Sequence, residues 1–346
     1  MTLENKKDIL IKLGEFLSQF STDEETPGNG QELTSEFEKL ILLSQSYNGW
    51  FTPEHVRFAL SSWARALTAD NLNEWLQPYD FNLVNQKTVA LIMAGNVPLV
   101  GFHDFISVFL SGHRALIKTS SNDQLLLPFI VKYLISIAPE LQGQFSFTEK
   151  LQDFDAVIAT GSNNTARYFE YYFRDKPSII RKNRNSVAVL TGNESHAELV
   201  ALGEDIFRYF GLGCRNVSKL FVPRDYNFDP FFAAMYEYKD VIYYEKYANN
   251  YDYNKAVFLM SNFKLLDNEF LTLKEDSSYS SPISSIFYEY YDDLDAINSR
   301  LQNDSEQIQC IVSSVANNAI PFGKAQKPEL WDYADNVDTL RFLLSL

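Results

Sequence analysis

The residue most able to do chemistry is Cys214, in the stretch Gly211-Leu212-Gly213-Cys214-Arg215. Glycine lets a backbone turn sharply or come close to a ligand, and a neighbouring guanidinium favours a thiolate. A thiol placed so can act as a nucleophile; the plainer alternative is a small buried side chain. Three further polar turns are candidates for holding a ligand: Gly95-Asn96-Val97-Pro98, Lys118-Thr119-Ser120-Ser121 and Thr160-Gly161-Ser162. Each has a simpler reading beside the functional one. Asn96 suits a turn before a proline, Lys118 suits an exposed strand end, and Ser162 suits an ordinary helix cap. At a helix start, though, backbone N–H groups also receive phosphate.

The elements around these turns alternate. Residues 88–94 (TVALIMA) form a continuous apolar run, as expected of a strand covered on both faces, and a helical run follows to Ser111. Residues 114–118 (RALIK) predict a second strand and 122–137 a second helix, with Asp123 in its first turn and Pro139 beyond its end. Residues 155–159 (DAVIA) and 186–190 (SVAVL) predict a third and a fourth strand, with helices over 164–173 and 194–210. A short strand over 219–222 follows Cys214. Such alternation indicates an α/β protein with a doubly wound parallel sheet, in which ligands bind at the carboxyl ends of the strands. Asn96, Lys118–Ser121 and Gly161-Ser162 all fall at such ends.

Residues 1–80 read as helices with polar breaks near 21–31 and 48–53, a helical layer or an oligomer surface. After Val222 a second α/β unit is expected, with strands at 256–260, 285–290 and 307–313 and helices at 229–237 and 292–301. Residues 238–253, rich in Tyr and Asp, read as an irregular surface excursion. The apolar residues closing 331–346 suggest a docked segment.

Composition excludes several classes. Across 346 residues, 46% are hydrophobic and 22% charged, a globular balance with ample core. The net charge of −15 argues against nucleic acid as a partner, since phosphate binding needs basic patches. Two cysteines, Cys214 and Cys310, make neither a disulfide framework nor a zinc site; Cys310, in the run QIQCIVSS, reads as core. No stretch predicts a membrane span, and the amphipathic amino terminus has no signal-peptide core, so a soluble cytoplasmic protein is expected. His103 and His113 read as structural.

Asn96, Lys118, Gly161-Ser162 and Cys214 come in an order and spacing that resembles the aldehyde dehydrogenase superfamily, and within it the LuxC-like acyl-CoA reductases, from about Val89 onward. The resemblance implies an aldehyde dehydrogenase-like fold: a doubly wound nucleotide-binding domain plus an α/β catalytic domain, with the active site in the cleft between them. It makes Cys214 the nucleophile and Asn96 an oxyanion-hole donor. Lys118 would hold the cofactor's adenine ribose, Gly161 and Ser162 would face its pyrophosphate, and Ser280-Ser281-Pro282-Ile283 would open the last part of the catalytic domain. Arg215 would meet a coenzyme A phosphate or a carboxylate.

Two departures from the hydrolytic members refine the expectation. Residues 183–190 (NRNSVAVL) carry no glutamate to activate water, which favours transfer to or from a thiol over hydrolysis. Ser121 replaces a carboxylate three residues after Lys118; removing that charge removes repulsion towards a 2′-phosphate and favours NADPH over NADH. A third departure is the late glutamate of the family, expected near Ser278, where only Glu275 and Asp276 are close.

The expected domains are 1–190, a helical layer plus NAD(P)-binding domain; 191–313, catalytic; and 314–346, packing back on the core. The expected activity is NADPH-dependent reduction of a long-chain acyl-CoA or acyl thioester to the aldehyde through an acyl-Cys214 intermediate, with coenzyme A as leaving group. An acyl-transferring partner protein and a homo-oligomer fit this reading. The alternatives are a reductase of acyl phosphates or short acyl-CoAs, and a non-catalytic cofactor- or carrier-binding subunit.

Overall fold

The computed structural model describes residues 1–21, 32–81 and 85–346, so part of the predicted break at 21–31 lies outside the described residues. The chain divides into two compact units, Met1–Lys182 with Glu329–Leu346, and Asn183–Pro328.

The first unit begins with helices α1 (Leu3–Ser18), α2 (Glu32–Tyr47), α3 (Pro53–Ala66) and α4 (Ala69–Leu76). Thr2, Thr52 and Thr68 cap three of them by accepting a backbone N–H three residues on. Their apolar faces (Leu10, Leu13, Phe37, Leu60 and Leu72 among them) share one core with the sheet that follows. That sheet has five parallel strands: β1 (Thr88–Ile92), β2 (Arg114–Lys118), β3 (Phe145–Phe147), β4 (Ala156–Thr160) and β5 (Ser178–Arg181), in the order β3-β2-β1-β4-β5. Helices α5 (Phe102–Ser111), α6 (Leu126–Ile137) and α7 (Asn163–Tyr172) make the crossovers. Helix α5 is buried nearly all round and stops at Gly112, whose φ of 89° only glycine adopts without strain.

Residues 329–346 complete this unit. Leu330, Leu340 and Leu343 enter the same core, and the last helix, Thr339–Leu344, lies against α5. The buried Arg181 joins Asp104 of α5 (2.6 Å) to Thr339 Oγ1 (2.9 Å) and the Ala334 carbonyl (2.7 Å). His103 Nε2 lies 2.8 Å from the Leu330 carbonyl and His113 Nε2 2.8 Å from that of Leu343. His113 Nδ1 accepts from the Lys87 N–H, so its Nε2 is the donor. Burial holds both imidazoles below their usual range.

The second unit holds six strands: β6 (Asn185–Val189), β7 (Val217–Pro223), β8 (Leu265–Asp267), β9 (Thr272–Glu275), β10 (Ser285–Tyr291) and β11 (Ile308–Val312). Their order is β11-β6-β7-β10-β9-β8, parallel except for the antiparallel edge pair β8–β9. Helices α8 (His196–Phe207), α9 (Asp229–Met235), α10 (Glu245–Met260) and α11 (Leu294–Asn303) belong to it. Among the described residues no helix is long and apolar enough to cross a membrane.

Several expectations change. The fourth predicted strand, β6, pairs with β7 and β11 in the second sheet, so the units part at Lys182/Asn183 rather than after residue 190, and the second begins well before Val222. Residues 314–328 stay with the second unit and only 329–346 join the first. Residues 256–260 are the end of α10, not a strand, and 245–253 are regular helix with Tyr247 and Tyr251 buried. Helix α6 starts at Leu126, leaving Asp123 in the loop before it.

Candidate functional site

In the first sheet the chain runs β1, β2, β3 to one side and then crosses to β4 and β5 on the other. The strand order therefore reverses between β1 and β4, the place at which sheets of this kind bind ligands beyond the carboxyl ends of their strands. The three turns singled out from the sequence follow β1, β2 and β4, which are adjacent strands. The structure thus brings Asn96, Lys118–Ser121 and Gly161-Ser162 to one sheet edge.

Each turn is held from its neighbours. Gly95 is buried, and a Cβ there would meet Ser120 Oγ at 2.6 Å, so the Asn96 turn and the Lys118–Ser121 loop pack backbone to side chain. Asn48 Nδ2 donates to the Gly95 carbonyl (3.2 Å), and the Met93 N–H donates to that of Lys118 (3.0 Å). Leu99 has φ 57°, in the left-handed region; its N–H donates to Asp123 Oδ2 (3.1 Å). Burial pushes the Asp123 carboxyl up to about 6. Asn96 itself is exposed, Lys118 half-buried and Ser121 exposed.

Gly161 and Ser162 open α7. Ser162 Oγ accepts from the Thr165 N–H (3.3 Å) as helix cap. A Cβ on Gly161 would sit 3.0 Å from Thr165 and Phe169 side-chain atoms, so the strand-to-helix turn passes close against the first turns of α7. These residues suit a dinucleotide: a glycine turn and an exposed helix start for the pyrophosphate, a lysine at an adjacent strand end for a ribose, and no carboxylate at residue 121.

Cys214 lies in the second unit, on the loop between α8 and β7. After α8 the backbone takes three successive left-handed residues, Tyr209, Phe210 and Gly211, and enters a tight turn closed by the Asn216 N–H on the Gly213 carbonyl (3.0 Å). The buried Asn216 side chain fastens this turn. Its Oδ1 accepts from the Gly213 N–H (2.8 Å), and its Nδ2 donates to the carbonyls of Asp205, Ile206 and Arg208, the end of α8. From the sheet below, Ser186 Oγ of β6 donates to the Cys214 carbonyl (2.9 Å) and lies 3.0 Å from Cys310 Sγ. Arg215 Nε donates to the Ala325 carbonyl, which gives that guanidinium a scaffold role. Cys214 itself is half-buried.

Asp205, fully buried on α8, accepts the N–H groups of Gly323 (2.6 Å) and Ala325 (2.9 Å), and burial pushes its carboxyl up to about 7. A carboxyl whose pKa rises on folding binds protons more tightly in the folded state, so its contribution to stability fades as pH rises. The wild type is therefore expected to lose thermal stability relative to Asp205→Asn between about pH 4 and pH 7, the difference then levelling off. Melting curves of both proteins across that range check it; a difference independent of pH would refute it.

The sequence missed Asn216, Ser186 and Asp205. Only Asn216, two residues after the thiol, offered a local signal. In the region of the late family glutamate, Asp276 is tied up by Lys274 Nζ (2.5 Å) and the Ser278 N–H (2.9 Å), which hold its carboxyl down at about 2. Strand β6 carries no carboxylate, as residues 183–190 led one to expect.

Comparisons with known proteins show what the chain as a whole is similar to. The profile of the family described as acyl-CoA reductase (LuxC) matches residues 68–231, a span that contains Asn96, Lys118, Gly161, Ser162 and Cys214. The chain is 23% identical over 232 residues to long-chain acyl-protein thioester reductase 2 of Photobacterium leiognathi; the match covers 60% of this chain and 47% of the relative, so it spans about half that protein's length. Among solved structures, aldehyde dehydrogenase 21 of Physcomitrella patens, in complex with succinate, superposes with a TM-score of 0.69 at 12% identity, covering 100% of this chain and 84% of its own. Aldehyde dehydrogenase C of Pseudomonas syringae, complexed with NAD+ and octanal, gives 0.62 at 13% identity, over 92% and 73%.

Proposed function

Because this chain is LuxC-like and has the aldehyde dehydrogenase fold, we propose that it reduces an activated long-chain acyl group to the aldehyde through an acyl-Cys214 intermediate, using NADPH. The observation that carries the reading is the Cys214 loop. Its turn is locked by four hydrogen bonds of the Asn216 side chain and its carbonyl is fixed by Ser186. A nucleophile must be held at a defined position on rigid backbone to react efficiently.

In this reading the Cys214 thiolate adds to the acyl carbonyl of a thioester, forming the new C–S bond. The Cys214 N–H would donate to the oxyanion, and the family resemblance gives the Asn96 amide the same role. Collapse expels the donor's thiolate, that of coenzyme A or of an acylated protein, and leaves the acyl group on sulfur. Lys118, Gly161 and Ser162 hold the dinucleotide, and the exposed Ser121 leaves room for a 2′-phosphate. Bound there, the reduced dinucleotide would supply the hydride for the acyl carbon, and breaking the C–S bond would then release the aldehyde and restore the Cys214 thiol. With no carboxylate on β6 to activate water, the acyl-enzyme persists until it is reduced or returned to a thiol.

Intact-protein mass after mixing with a long-chain acyl-CoA tests this. The expected result is one acyl mass on the protein, lost when NADPH is added as aldehyde appears. Absence of acylation with acyl-CoA, acyl phosphate and acyl-protein donors alike overturns it in favour of a non-catalytic, cofactor- or carrier-binding subunit. Acylation by acyl phosphate alone would make the protein a reductase of that donor.

A further inference from the structure

We propose that Asp123 is a positioning residue for the Asn96 turn, acting through Leu99; this rests on the oxyanion role given to Asn96 above. Asn96 is bracketed on both sides by the loop that follows Lys118. On one side Gly95 lies against Ser120, so closely that any Cβ would overlap its hydroxyl. On the other, the Asp123 carboxylate holds the Leu99 N–H at 3.1 Å. The loop is itself folded on Ser120, whose carbonyl accepts the Asp123 N–H (3.1 Å) and whose Oγ accepts the Asn122 N–H (3.2 Å).

Two features show that the Asp123–Leu99 contact does more than fill space. Leu99 is buried with φ 57°, a conformation that costs a residue with a Cβ and persists only when its surroundings impose it. The hydrogen bond from Asp123 imposes it, on the residue three after Asn96. Asp123 Oδ1, moreover, is buried without a hydrogen-bond partner, beside a small recess lined by Leu99, Gly101 and Thr119. A carboxylate kept in so unfavourable a place, with one oxygen on a strained N–H and the other on nothing, is poorly explained by general packing. The link also ties the Asn96 turn to the loop that follows Lys118.

The test compares single-turnover acylation and NADPH affinity. Asp123→Ala is expected to slow acylation about 10- to 100-fold, as misplacement of a catalytic group does, with NADPH affinity within about twofold. Asp123→Asn, which keeps an acceptor for Leu99, falls by less than about threefold. Adding Leu99→Gly to Asp123→Ala restores most of the rate, because glycine takes the positive φ unaided. If Asp123→Ala does not fold, Asp123→Ser, too short to reach Leu99, carries the same comparison. Unimpaired acylation in Asp123→Ala beside a crippled Asn96→Ala overturns this proposal alone. Wild-type acylation in Asn96→Ala overturns the oxyanion reading and this proposal with it. A slow Asp123→Ala that Leu99→Gly does not rescue shows that Asp123 acts otherwise, and also overturns it.

Discussion

Cys214→Ser protein is expected to take up no acyl group and to lose reductase activity by about 10⁴-fold or more, the scale on which removing a covalent nucleophile acts. Cys310→Ala is the informative comparison. Both cysteines meet Ser186, Cys214 through its carbonyl and Cys310 through its sulfur, so the two substitutions disturb the same corner of the sheet. Only one removes the proposed nucleophile. Cys310→Ala should still gain acyl mass and discharge it with NADPH. Acyl mass on Cys214→Ser at the wild-type rate, or its loss in Cys310→Ala alone, would place the nucleophile elsewhere.

Arg181→Leu is expected to cost the first unit about 3–5 kcal/mol, the usual penalty for breaking a buried ion pair from one side. Asp104 would keep its charge in a buried site without its counter-ion, and Thr339 and the Ala334 carbonyl would lose their donors. The double variant Asp104→Leu, Arg181→Leu should recover part of the loss, since no orphaned charge remains. The four tryptophans, Trp50, Trp63, Trp75 and Trp331, all belong to the first unit. Denaturant unfolding followed by their fluorescence therefore reads this unit specifically. A shift under about 1 kcal/mol for Arg181→Leu would mean that the pair contributes little to holding residues 329–346.

The parts of the fold visible in the sequence were those whose signal is local. Residues 89–92 and 156–159 sit under crossover helices and are apolar throughout, so they announced themselves as strands, and the turns at their ends announced the sheet edge. β9 did not, because it is buried on both faces and one of them is built with Thr272 and Lys274, leaving only Leu273 apolar on the other. The apolar run 256–260 misled for the opposite reason. Leu259 and Met260 are exposed at the end of α10, while the burial that makes the helix comes from Tyr247, Tyr251 and Phe258. The boundary was misplaced because the strand read at 186–190, with its apolar residues 187–190, reads the same in either sheet; only its pairing with β7 and β11 assigns it. Within the site, Cys214, Asn96, Lys118 and Gly161-Ser162 stand at turns whose residue types are distinctive. Ser186, Asp205 and Asp123 act on partners 24 to 120 residues away, and no spacing rule finds those.

The division of the chain has a consequence for its synthesis. The core of the first unit includes Leu330, Leu340 and Leu343, and Arg181, His103 and His113 all bond to that late segment. A ribosome must therefore translate the whole of Asn183–Pro328 before the unit it began with can close, a delay on the order of ten seconds at ordinary elongation rates. The unit started second can finish first. Meanwhile the apolar surface of α5, later covered by the helix Thr339–Leu344, stays open on the nascent chain.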